Sequence, residues 1–225
     1  TLWSFAFDKL DATDGKPLFR NLDIDKTDDP RDFLVKSGKL EPDFSGGLFT
    51  RFRYKGLSLQ ANFAVSIGGQ KRLPDLYDMN NGQYGLPLPD KNSSRWIKDR
   101  WRKPGDEEHT IYPSLPTKEK TTSTNTVDGS LHLPYNEVIY SRYVAYNQSD
   151  IRVADADFIR CRQISLNYQF TAKQLKKIYL KNLNVGLSMT NPFLITFDKK
   201  WDGYDPETGG WPARKTVSLT LNATF

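Results

Sequence analysis

Apolar and polar side chains alternate one by one through residues 216–225, at the C-terminal end of the chain. The odd positions from Val217 to Phe225 are apolar, and the even positions carry Ser, Thr or Asn. Because successive side chains of a β-strand point to opposite faces, this pattern predicts a strand with one apolar and one polar face. The length suits a tilted strand that crosses a bilayer, which takes about 9–11 residues. The pattern is equally typical of a half-buried strand in a soluble sandwich.

Four further segments repeat this alternation and predict an all-β fold. They are residues 48–54, 57–66, 158–170 and 183–190. Their polar positions carry mostly Gln, Asn, Ser, Thr and Arg, which suits a water-filled lumen with the apolar faces outward in lipid. On this interpretation the candidate lumen-facing residues are Arg51, Arg53, Gln60 and Gln163. We therefore predict antiparallel strands that form part of a transmembrane barrel.

The connections between these strands alternate between short and long. Only Lys55 and Gly56 join the first two strands, which predicts a tight hairpin. The third and fourth strands are joined through a predicted turn of helix that begins after Thr171. Residues 67–157 and 191–215 are much longer connections, whereas compact soluble domains rarely carry loops beyond about 15 residues. Outer-membrane barrels have short periplasmic turns and longer extracellular loops, so the alternation predicts a periplasmic C-terminus.

These features divide the chain into six predicted segments. They are an extracellular loop and strand region at 1–47, a hairpin at 48–66, a long extracellular loop at 67–157, a strand–turn–strand at 158–190, an extracellular loop at 191–215 and the terminal strand at 216–225. The long loop contains many turn-forming residues and several aromatic residues. Its aromatic content favours a folded loop over a disordered one.

Composition narrows the classes of protein that the chain can represent. Hydrophobic residues make up 37% of the 225 residues. No stretch approaches the ~20 apolar residues of a membrane helix, which excludes a helical membrane protein but not a barrel. The net charge is +5, yet the basic residues are scattered and form no nucleic-acid-binding signature, so we expect no nucleic-acid partner. The single cysteine, Cys161, cannot form an internal disulfide and is predicted to be a packed or lipid-facing thiol.

The sequence contains no catalytic constellation, and we predict no enzyme activity, no cofactor and no metal site. His109 and His132 lie in predicted loops, away from any Cys or carboxylate pair with metal-ligand spacing. Residues 23–29 are rich in Asp but lack the Gly at the sixth position and the Glu at the twelfth position of a calcium loop. Residues 202–207 contain Asp-Gly and Asp-Pro, which are turn-forming pairs and favour a rigid loop tip over a metal site.

Five aromatic residues in the predicted loops are candidate contacts for substrate or for a partner protein. They are Trp96, Trp101, Tyr112, Trp201 and Trp211. Such residues can stack on sugar rings or grip a lid protein, although packing inside the loops is the favoured interpretation for any one of them. The arginines that face or border the predicted lumen could bind an acidic substrate, although pairing with carboxylates of a plug is favoured. They are Arg51, Arg53, Arg160 and Arg162.

Several stretches, taken together and in order, resemble the C-terminal end of one transporter family. They are the glycine-rich aromatic hairpin at 44–63 with residues 66–69, the Trp-rich loop at 95–106, the strand at 154–168, the Asn-Pro and Gly-Tyr-Asp-Pro-Glu loop at 191–207 and the terminal strand. Each motif alone is weak. The set resembles SusC/RagA-type TonB-dependent outer-membrane transporters over essentially the whole chain.

The resemblance implies a barrel of about 22 strands with a plugged lumen, of which this chain would supply C-terminal wall and extracellular loops. It implies TonB-dependent import of oligosaccharides or peptides across the outer membrane of a Gram-negative bacterium. The plug, the other strands and the TonB contact would lie in a missing N-terminal part. A SusD-like lipoprotein would be the partner at the extracellular face, and membrane lipid would surround the wall. Phe225 would be the aromatic signal that is read during assembly.

Two other architectures remain compatible with the alternation alone. A soluble carbohydrate-binding β-sandwich would bury the apolar faces of its strands against each other and need no detergent. A small closed barrel needs about eight strands. The sequence provides five, or six if a strand near residues 2–7 is counted.

Overall fold

The computed structural model divides the chain into two compact units. It describes residues 1–22, 27, 29–77, 93–116, 130–134, 139–176 and 179–225. The first unit comprises Thr1–Leu40 and Arg72–Ala154, and the second comprises Glu41–Lys71 and Asp155–Phe225. Each unit is therefore built from two separate stretches of sequence.

Most of the regular structure in the described residues is β-strand. The strands are β1 (Leu2–Phe5), β2 (Phe7–Leu10), β3 (Pro17–Phe19), β4 (Leu34–Gly38), β5 (Phe44–Tyr54), β6 (Leu57–Ile67), β7 (Gln70–Arg72), β8 (Ser130–His132), β9 (Ile139–Ser141), β10 (Val153–Asp155), β11 (Phe158–Gln169), β12 (Asn182–Thr196) and β13 (Thr216–Thr224). Short α-helices occupy α1 (Arg142–Asn147) and α2 (Ala172–Leu175), and 3-10 turns occupy Pro30–Asp32, Arg95–Asp99, Asp106–Glu108, Asp150–Arg152 and Lys199–Trp201. No helix in this part of the chain is long and apolar enough to span a membrane.

The second unit is built on a five-stranded antiparallel sheet with the strand order β13–β12–β11–β6–β5. Strands β5 and β6 form the predicted hairpin through Lys55 and Gly56, which have φ angles of 43° and 87°. Strands β11 and β12 are joined through α2, which begins directly after Thr171, as predicted. Within the described residues the outer strands, β5 and β13, each have one edge without a strand partner. The predicted all-β, antiparallel fold class is confirmed.

The register of the strands gives this sheet one apolar face and one polar face. One row across the five strands is Phe52, Leu59, Leu166, Leu187 and Leu219. The adjacent row, which points to the opposite face, is Arg51, Gln60, Ser165, Ser188 and Ser218. Strand side chains alternate between faces with a period of two. The predicted residues Arg51, Arg53, Gln60 and Gln163 consequently share the polar face.

A β-bulge in β11 changes the register at Arg162. Cys161 pairs with Phe63 of β6, whereas Gln163 pairs with Asn62, the adjacent residue of the same strand. Arg162 is therefore an extra residue between two paired positions, and the pairing of β11 with β12 shifts at the same point. A bulge of this kind re-aims the neighbouring side chains. The regular alternation seen in residues 163–170 therefore does not continue unbroken into the first part of β11.

Strand β12 extends beyond its predicted end. It continues to Thr196, so the prediction that a loop begins at residue 191 is wrong for 191–196. Asn191 has a φ angle of 50°, and it lies with Pro192 at the register shift opposite the bulge. Proline cannot donate a hydrogen bond to a sheet, but it is tolerated at a bulge because the ladder is already interrupted there.

Strand β5 begins at Phe44, four residues before its predicted start, and includes two glycines. Gly46 and Gly47 pair with residues of β6. A Cβ atom on Gly47 would lie 3.2 Å from the carbonyl oxygen of Phe63. The absence of a side chain thus permits the close approach of the two strands.

The first unit consists of short strand pairs around an aromatic core. Strand β1 pairs with β4, β2 with β3, and β8 with β9, all antiparallel. Phe5, Phe33, Leu131 and Ala145 are buried in one cluster. Because β1 pairs with β4, residues 2–7 do not contribute a sixth strand to the sheet of the second unit. The described parts of residues 72–154 belong to this unit and contain short strands and helical turns.

Candidate functional site

Two arginines of β11 and two carboxylates of the loop between β12 and β13 form an ion-pair cluster in the second unit. Arg160 Nη2 lies 2.5 Å from Asp205 Oδ2, and Arg160 Nε lies 2.7 Å from Glu207 Oε2. Glu207 also accepts a hydrogen bond from Arg162 Nη2 at 2.7 Å. The side chains of Arg160 and Asp205 are 5% and 0% exposed, whereas that of Arg162 is 51% exposed. The cluster therefore has a buried half and a half that faces solvent.

The loop between β12 and β13 is folded so that it presents Asp205 to the sheet. Asp205 Oδ1 accepts a hydrogen bond from the N–H of Glu207 at 2.9 Å, and the backbone of Asp205 exchanges hydrogen bonds with Gly210 and Gly209, each at 2.8 Å. Lys71 Nζ donates to the carbonyl oxygens of Pro206 and Glu207, both at 2.8 Å. Residues 205–210 are thus a rigid turn, as the turn-forming pairs predicted.

Trp201 anchors the start of the same loop. Its side chain is fully buried, and its indole Nε1 donates to the carbonyl oxygen of Asp155 at 2.7 Å. Asp198 precedes the 3-10 turn Lys199–Trp201 and accepts hydrogen bonds from the N–H groups of Lys200 and Asp155, at 2.8 and 3.1 Å. A side-chain cap of this kind satisfies backbone donors that the turn leaves free.

The partners of Arg160 and Arg162 differ from the favoured prediction. We expected both arginines to pair with carboxylates of a plug, but Asp205 and Glu207 of this chain pair with them instead. Breaking a buried pair is costly because it leaves an uncompensated charge. The cluster is therefore a structural tie between the sheet and the loop, and its arginines are already neutralised.

The other half of the polar face, from the bulge to the hairpin, carries cations without carboxylates. The positions of β5, β6, β11, β12 and β13 that share this face are Phe, Arg, Ser, Thr, Asn, Gln and Gly. Arg51 and Arg53 are exposed, and neither forms an ion pair within the described residues. The Arg51 guanidinium lies 5.4 Å from the ring centre of Phe49. This half of the face is therefore positively charged.

Two of the predicted aromatic contacts, Trp96 and Trp101, belong to the core of the first unit. They are 5% and 7% exposed. Trp96 stacks on Tyr112 with ring centres 6.2 Å apart, and the guanidinium of Arg152 lies 4.7 Å from the Trp96 ring. Side chains buried in this way have no free face for a sugar ring. The structure therefore supports loop packing, the favoured interpretation, for both tryptophans.

The contact between Trp101 and Glu107 is also structural. Trp101 Nε1 donates to Glu107 Oε2 at 3.0 Å. The pKa of Glu107 is lowered by its hydrogen bond with its own backbone N–H and by the bond from Trp101. Gly15 lies against the same indole. A Cβ atom at this position would overlap the Trp101 ring, so the contact requires glycine. Burial raises the pKa of Tyr112, which accords with a packing role.

Trp211 is the predicted tryptophan contact that the structure leaves open to solvent. It is 62% exposed, whereas Trp201 on the same loop is fully buried. The Trp211 ring lies 5.2 Å from that of Tyr204, which supports it from one side. Trp211 therefore remains a candidate for contact with substrate or partner, and Trp201 is a packing residue.

The remaining predicted residues divide between the apolar side of the sheet and loop surface. Cys161 is fully buried, and its row partner Phe63 lies against Phe193 with ring centres 6.3 Å apart, so it is a packed thiol. Phe225 is 82% exposed.

His109 is exposed, and the side chain of His132 lies outside the described residues, as does most of segment 23–29. Within the described residues no group of three or more His, Cys, Asp and Glu could hold a metal ion.

Comparison with known proteins gives a match to one curated sequence and matches to solved structures. No protein-family model matches the chain. A curated sequence, TonB-dependent receptor P39 of Formosa agariphila, is 28% identical over 199 residues, which cover 81% of this chain and 16% of that protein. Solved structures of the RagAB peptide importer in the open-open and closed-closed states match with TM-scores of 0.57 and 0.58 and identities of 19% and 20%. A further structure of the RagAB peptide transporter matches with a TM-score of 0.59 and 20% identity.

The structural matches cover 99% of this chain but only 22–23% of the chains that they come from. The chain therefore spans about one sixth of the curated relative and less than a quarter of each solved chain. At these identities the solved structures establish a similarity of fold, and the curated sequence adds a similarity of sequence to a TonB-dependent receptor. The resemblance to SusC/RagA-type TonB-dependent transporters that the sequence predicted is thereby confirmed.

Proposed function

We propose that the chain is the C-terminal part of the barrel of a SusC/RagA-type, TonB-dependent transporter in the outer membrane of a Gram-negative bacterium. The observation that carries this proposal is the exposed apolar face of the five-stranded sheet. Val217, Leu219 and Leu221 of β13 are 63%, 75% and 67% exposed, and Phe52 of β5 is 60% exposed. Lipid-facing strands of outer-membrane barrels have this composition on one face and polar residues on the other.

The exposed apolar face argues against a soluble β-sandwich. In a sandwich two sheets pack face to face and bury these side chains. Rows that continue across all five strands, such as that of Leu187 and Leu219, would make an apolar surface that soluble monomers rarely expose. Lipid is the environment that covers such a face without a second sheet.

The open edges of the sheet argue against a small closed barrel. Closure needs about eight strands, and the sheet contains five, with β5 and β13 unpaired on their outer sides within the described residues. Unpaired strand edges cannot lie in lipid because their backbone groups would lack hydrogen-bond partners. We infer that other strands of a longer protein complete the barrel, which would have about 22 strands.

In this account the chain takes part in import rather than catalysis. The wall formed by β5, β6, β11, β12 and β13 would separate lipid from the lumen, with the hairpin ends and Phe225 on the periplasmic side. The first unit and residues 197–215 would lie at the extracellular face, where a SusD-like lipoprotein covers the substrate. TonB would act through the rest of the protein. The substrate would be an oligosaccharide or a peptide, and the RagAB structures, which are peptide importers, support the inclusion of peptides.

Membrane fractionation of the natural host tests this proposal. The full-length protein should sediment with the outer membrane, resist extraction with salt or alkali and require detergent. It should also change its migration on heating in SDS, as folded barrels do. A fully soluble protein would overturn the proposal. Uptake of labelled peptides and labelled oligosaccharides by wild-type and deletion strains would then identify the substrate class.

A further inference from the structure

We propose that a basic concavity of the first unit binds the phosphate or sulfate group of an anionic oligosaccharide that the transporter imports. The inference rests on the proposed function and narrows its substrate class. The concavity lies among residues 98–110 and has a volume of about 490 Å³. Its lining contains four cations, which are Lys98, Arg100, Arg102 and Lys103. The fold thus gathers around one space a group of basic residues that the sequence shows only as scattered charges.

The four cations are not neutralised by ion pairs. Three of them are exposed and Arg100 is half-buried, and none forms an ion pair with another described residue. The carboxylates in the lining are Asp99 and Asp106. Asp106 Oδ2 accepts hydrogen bonds from the backbone N–H groups of Arg102 and Lys103, at 3.0 and 3.2 Å. Four cations against two carboxylates leave a formal excess of two positive charges.

Hydrogen bonds hold the two arginines in place before a ligand binds. Arg100 Nη1 donates to the carbonyl oxygen of Ile97 at 2.9 Å. Arg102 Nη2 donates to that of Lys98 at 2.6 Å. The side chain of Trp101, between the two arginines, is buried and anchors the backbone. A guanidinium has five N–H donors, so each arginine keeps donors for an anion. Side chains that are ordered in advance lose less entropy when a ligand binds.

The charge favours a phosphate or sulfate ester over a single carboxylate. A phosphate ester carries a charge of about −1.5 to −2 and three strong acceptor oxygens. Two neighbouring sulfate esters carry a similar charge. Either matches the excess of two positive charges, whereas one carboxylate would neutralise only half of it. Arginine also binds phosphate groups through two parallel N–H···O bonds.

The lining favours an oligosaccharide over a phosphorylated lipid or a peptide. The described residues that form it include no apolar side chain, so the acyl chains of a lipid would find no contact there. Peptides carry negative charge mainly on carboxylates, whereas sugar hydroxyls form phosphate and sulfate esters. His109 and Thr110 add groups that exchange hydrogen bonds with hydroxyls. Because Trp96 and Trp101 are buried, recognition at this concavity depends on charge rather than on ring stacking.

Calorimetric titration of the full-length protein in detergent tests the inference. Sucrose octasulfate is the anionic probe, sucrose is its neutral counterpart, and tetra-aspartate is a carboxylate probe. The wild-type protein should bind sucrose octasulfate more tightly than tetra-aspartate and should not bind sucrose measurably. Lys98→Gln together with Lys103→Gln should weaken the binding of sucrose octasulfate about tenfold, as expected when two exposed charge-assisted hydrogen bonds are lost.

The matched control removes two charges from the same unit but outside the concavity. Lys9→Gln together with Lys36→Gln should bind sucrose octasulfate as the wild-type protein does. Both double variants should fold, because these four lysine side chains are exposed and form no hydrogen bond within the described residues. Equal losses in the two variants, no binding of sucrose octasulfate, or tighter binding of tetra-aspartate would overturn the inference.

Two further measurements separate the substrate from other sources of the anion. Intact host cells should bind labelled sucrose octasulfate above the level of a deletion strain, and the variant with Lys98→Gln and Lys103→Gln should lose most of that excess. Lipopolysaccharide and the lipoprotein should co-purify equally with the wild-type protein and with this variant. Loss of either from the variant, or binding by purified protein but not by cells, would assign the concavity to a lipid or a partner and overturn the inference.

The failure of this inference is distinguishable from that of the proposed function. A protein that requires detergent but does not bind sucrose octasulfate contradicts only this inference. A fully soluble protein contradicts the proposed function itself.

Discussion

The guanidinium of Arg160 lies 2.5 Å from the carboxylate of Asp205, and both side chains are almost completely buried. Arg160 lies near the start of β11, the central strand of the sheet, whereas Asp205 belongs to the loop between β12 and β13. The pair therefore joins two parts of the second unit that are 45 residues apart in sequence. It fixes the position of the rigid turn that ends near Trp211.

Asp205→Asn should destabilise the second unit. The substitution keeps the shape of the side chain but removes the buried carboxylate, so that Arg160 retains only the partly exposed Glu207 as a partner, which costs up to about 3–5 kcal/mol. The measurement is the free energy of unfolding of the full-length protein in detergent. Arg162→Gln is the matched control, because the Arg162 side chain is 51% exposed and its pair with Glu207 should contribute less than about 1 kcal/mol. Equal effects of the two variants would contradict this assignment.

Trp201→Ala and Trp211→Ala should separate packing from recognition. Trp201 is fully buried and donates a hydrogen bond to Asp155, so its loss should cost about 3–5 kcal/mol of stability. Trp211 is 62% exposed, so its loss should change stability by less than about 0.5 kcal/mol. If Trp211 contacts substrate or the lipoprotein, binding should weaken at least tenfold, roughly the loss of an aromatic anchor. If Trp211→Ala binds both the substrate and the lipoprotein as tightly as the wild-type protein, Trp211 is excluded as a contact residue.

Gly15→Ala should disrupt the first unit through Trp101. Gly15 has a φ angle of 71°, and an added Cβ would lie 2.3 Å from the indole ring, so the buried ring would have to move. Gly105→Ala is the control, since its φ angle is 98° and an added Cβ meets no atom within 4 Å. The control should show only the backbone cost of about 1–2 kcal/mol. Limited proteolysis of the assembled protein should therefore be much faster for Gly15→Ala than for Gly105→Ala.

Alternation alone sufficed to predict the five strands of the sheet and their two faces. The rows of Phe52 and Arg51 follow from a period of two, which depends only on backbone geometry. The bulge at Arg162 could not be predicted in this way, because one extra residue leaves no mark on composition. The continuation of β12 through Pro192 was hidden for a related reason. A proline normally ends a central strand, and its tolerance here depends on the bulge in the neighbouring strand.

The candidate site was predicted less completely, because it depends on contacts that are distant in sequence. Arg160 and Arg162 were recognised as bordering the polar face, but their pairing with Asp205 and Glu207 requires the fold of the loop. The aromatic candidates were recognised by type alone. Burial separates Trp201 from Trp211, and residue type cannot distinguish two tryptophans of the same loop.

Deletion of Phe225 should reduce the amount of protein assembled in the outer membrane. Phe225 is 82% exposed and follows directly after β13, so its loss should have little effect on packing. Quantitative immunoblotting of outer-membrane fractions measures the change. Phe225→Tyr preserves an aromatic side chain at this position and should assemble normally. Normal assembly of the deletion variant would exclude Phe225 as an assembly signal.

The environment of two adjacent residues of β13 tests the central claim most directly. Leu219 lies on the apolar face and Thr220 on the polar face. In full-length protein in bilayers, with Cys161 replaced by Ala, a nitroxide label is attached to Leu219→Cys or to Thr220→Cys. Its collision rates with oxygen and with a water-soluble nickel complex are then measured by electron paramagnetic resonance. The account predicts that oxygen, but not nickel, reaches the Leu219 label and that the Thr220 label lies away from lipid. A Leu219 label reached by nickel, or shielded from both reagents, would contradict it.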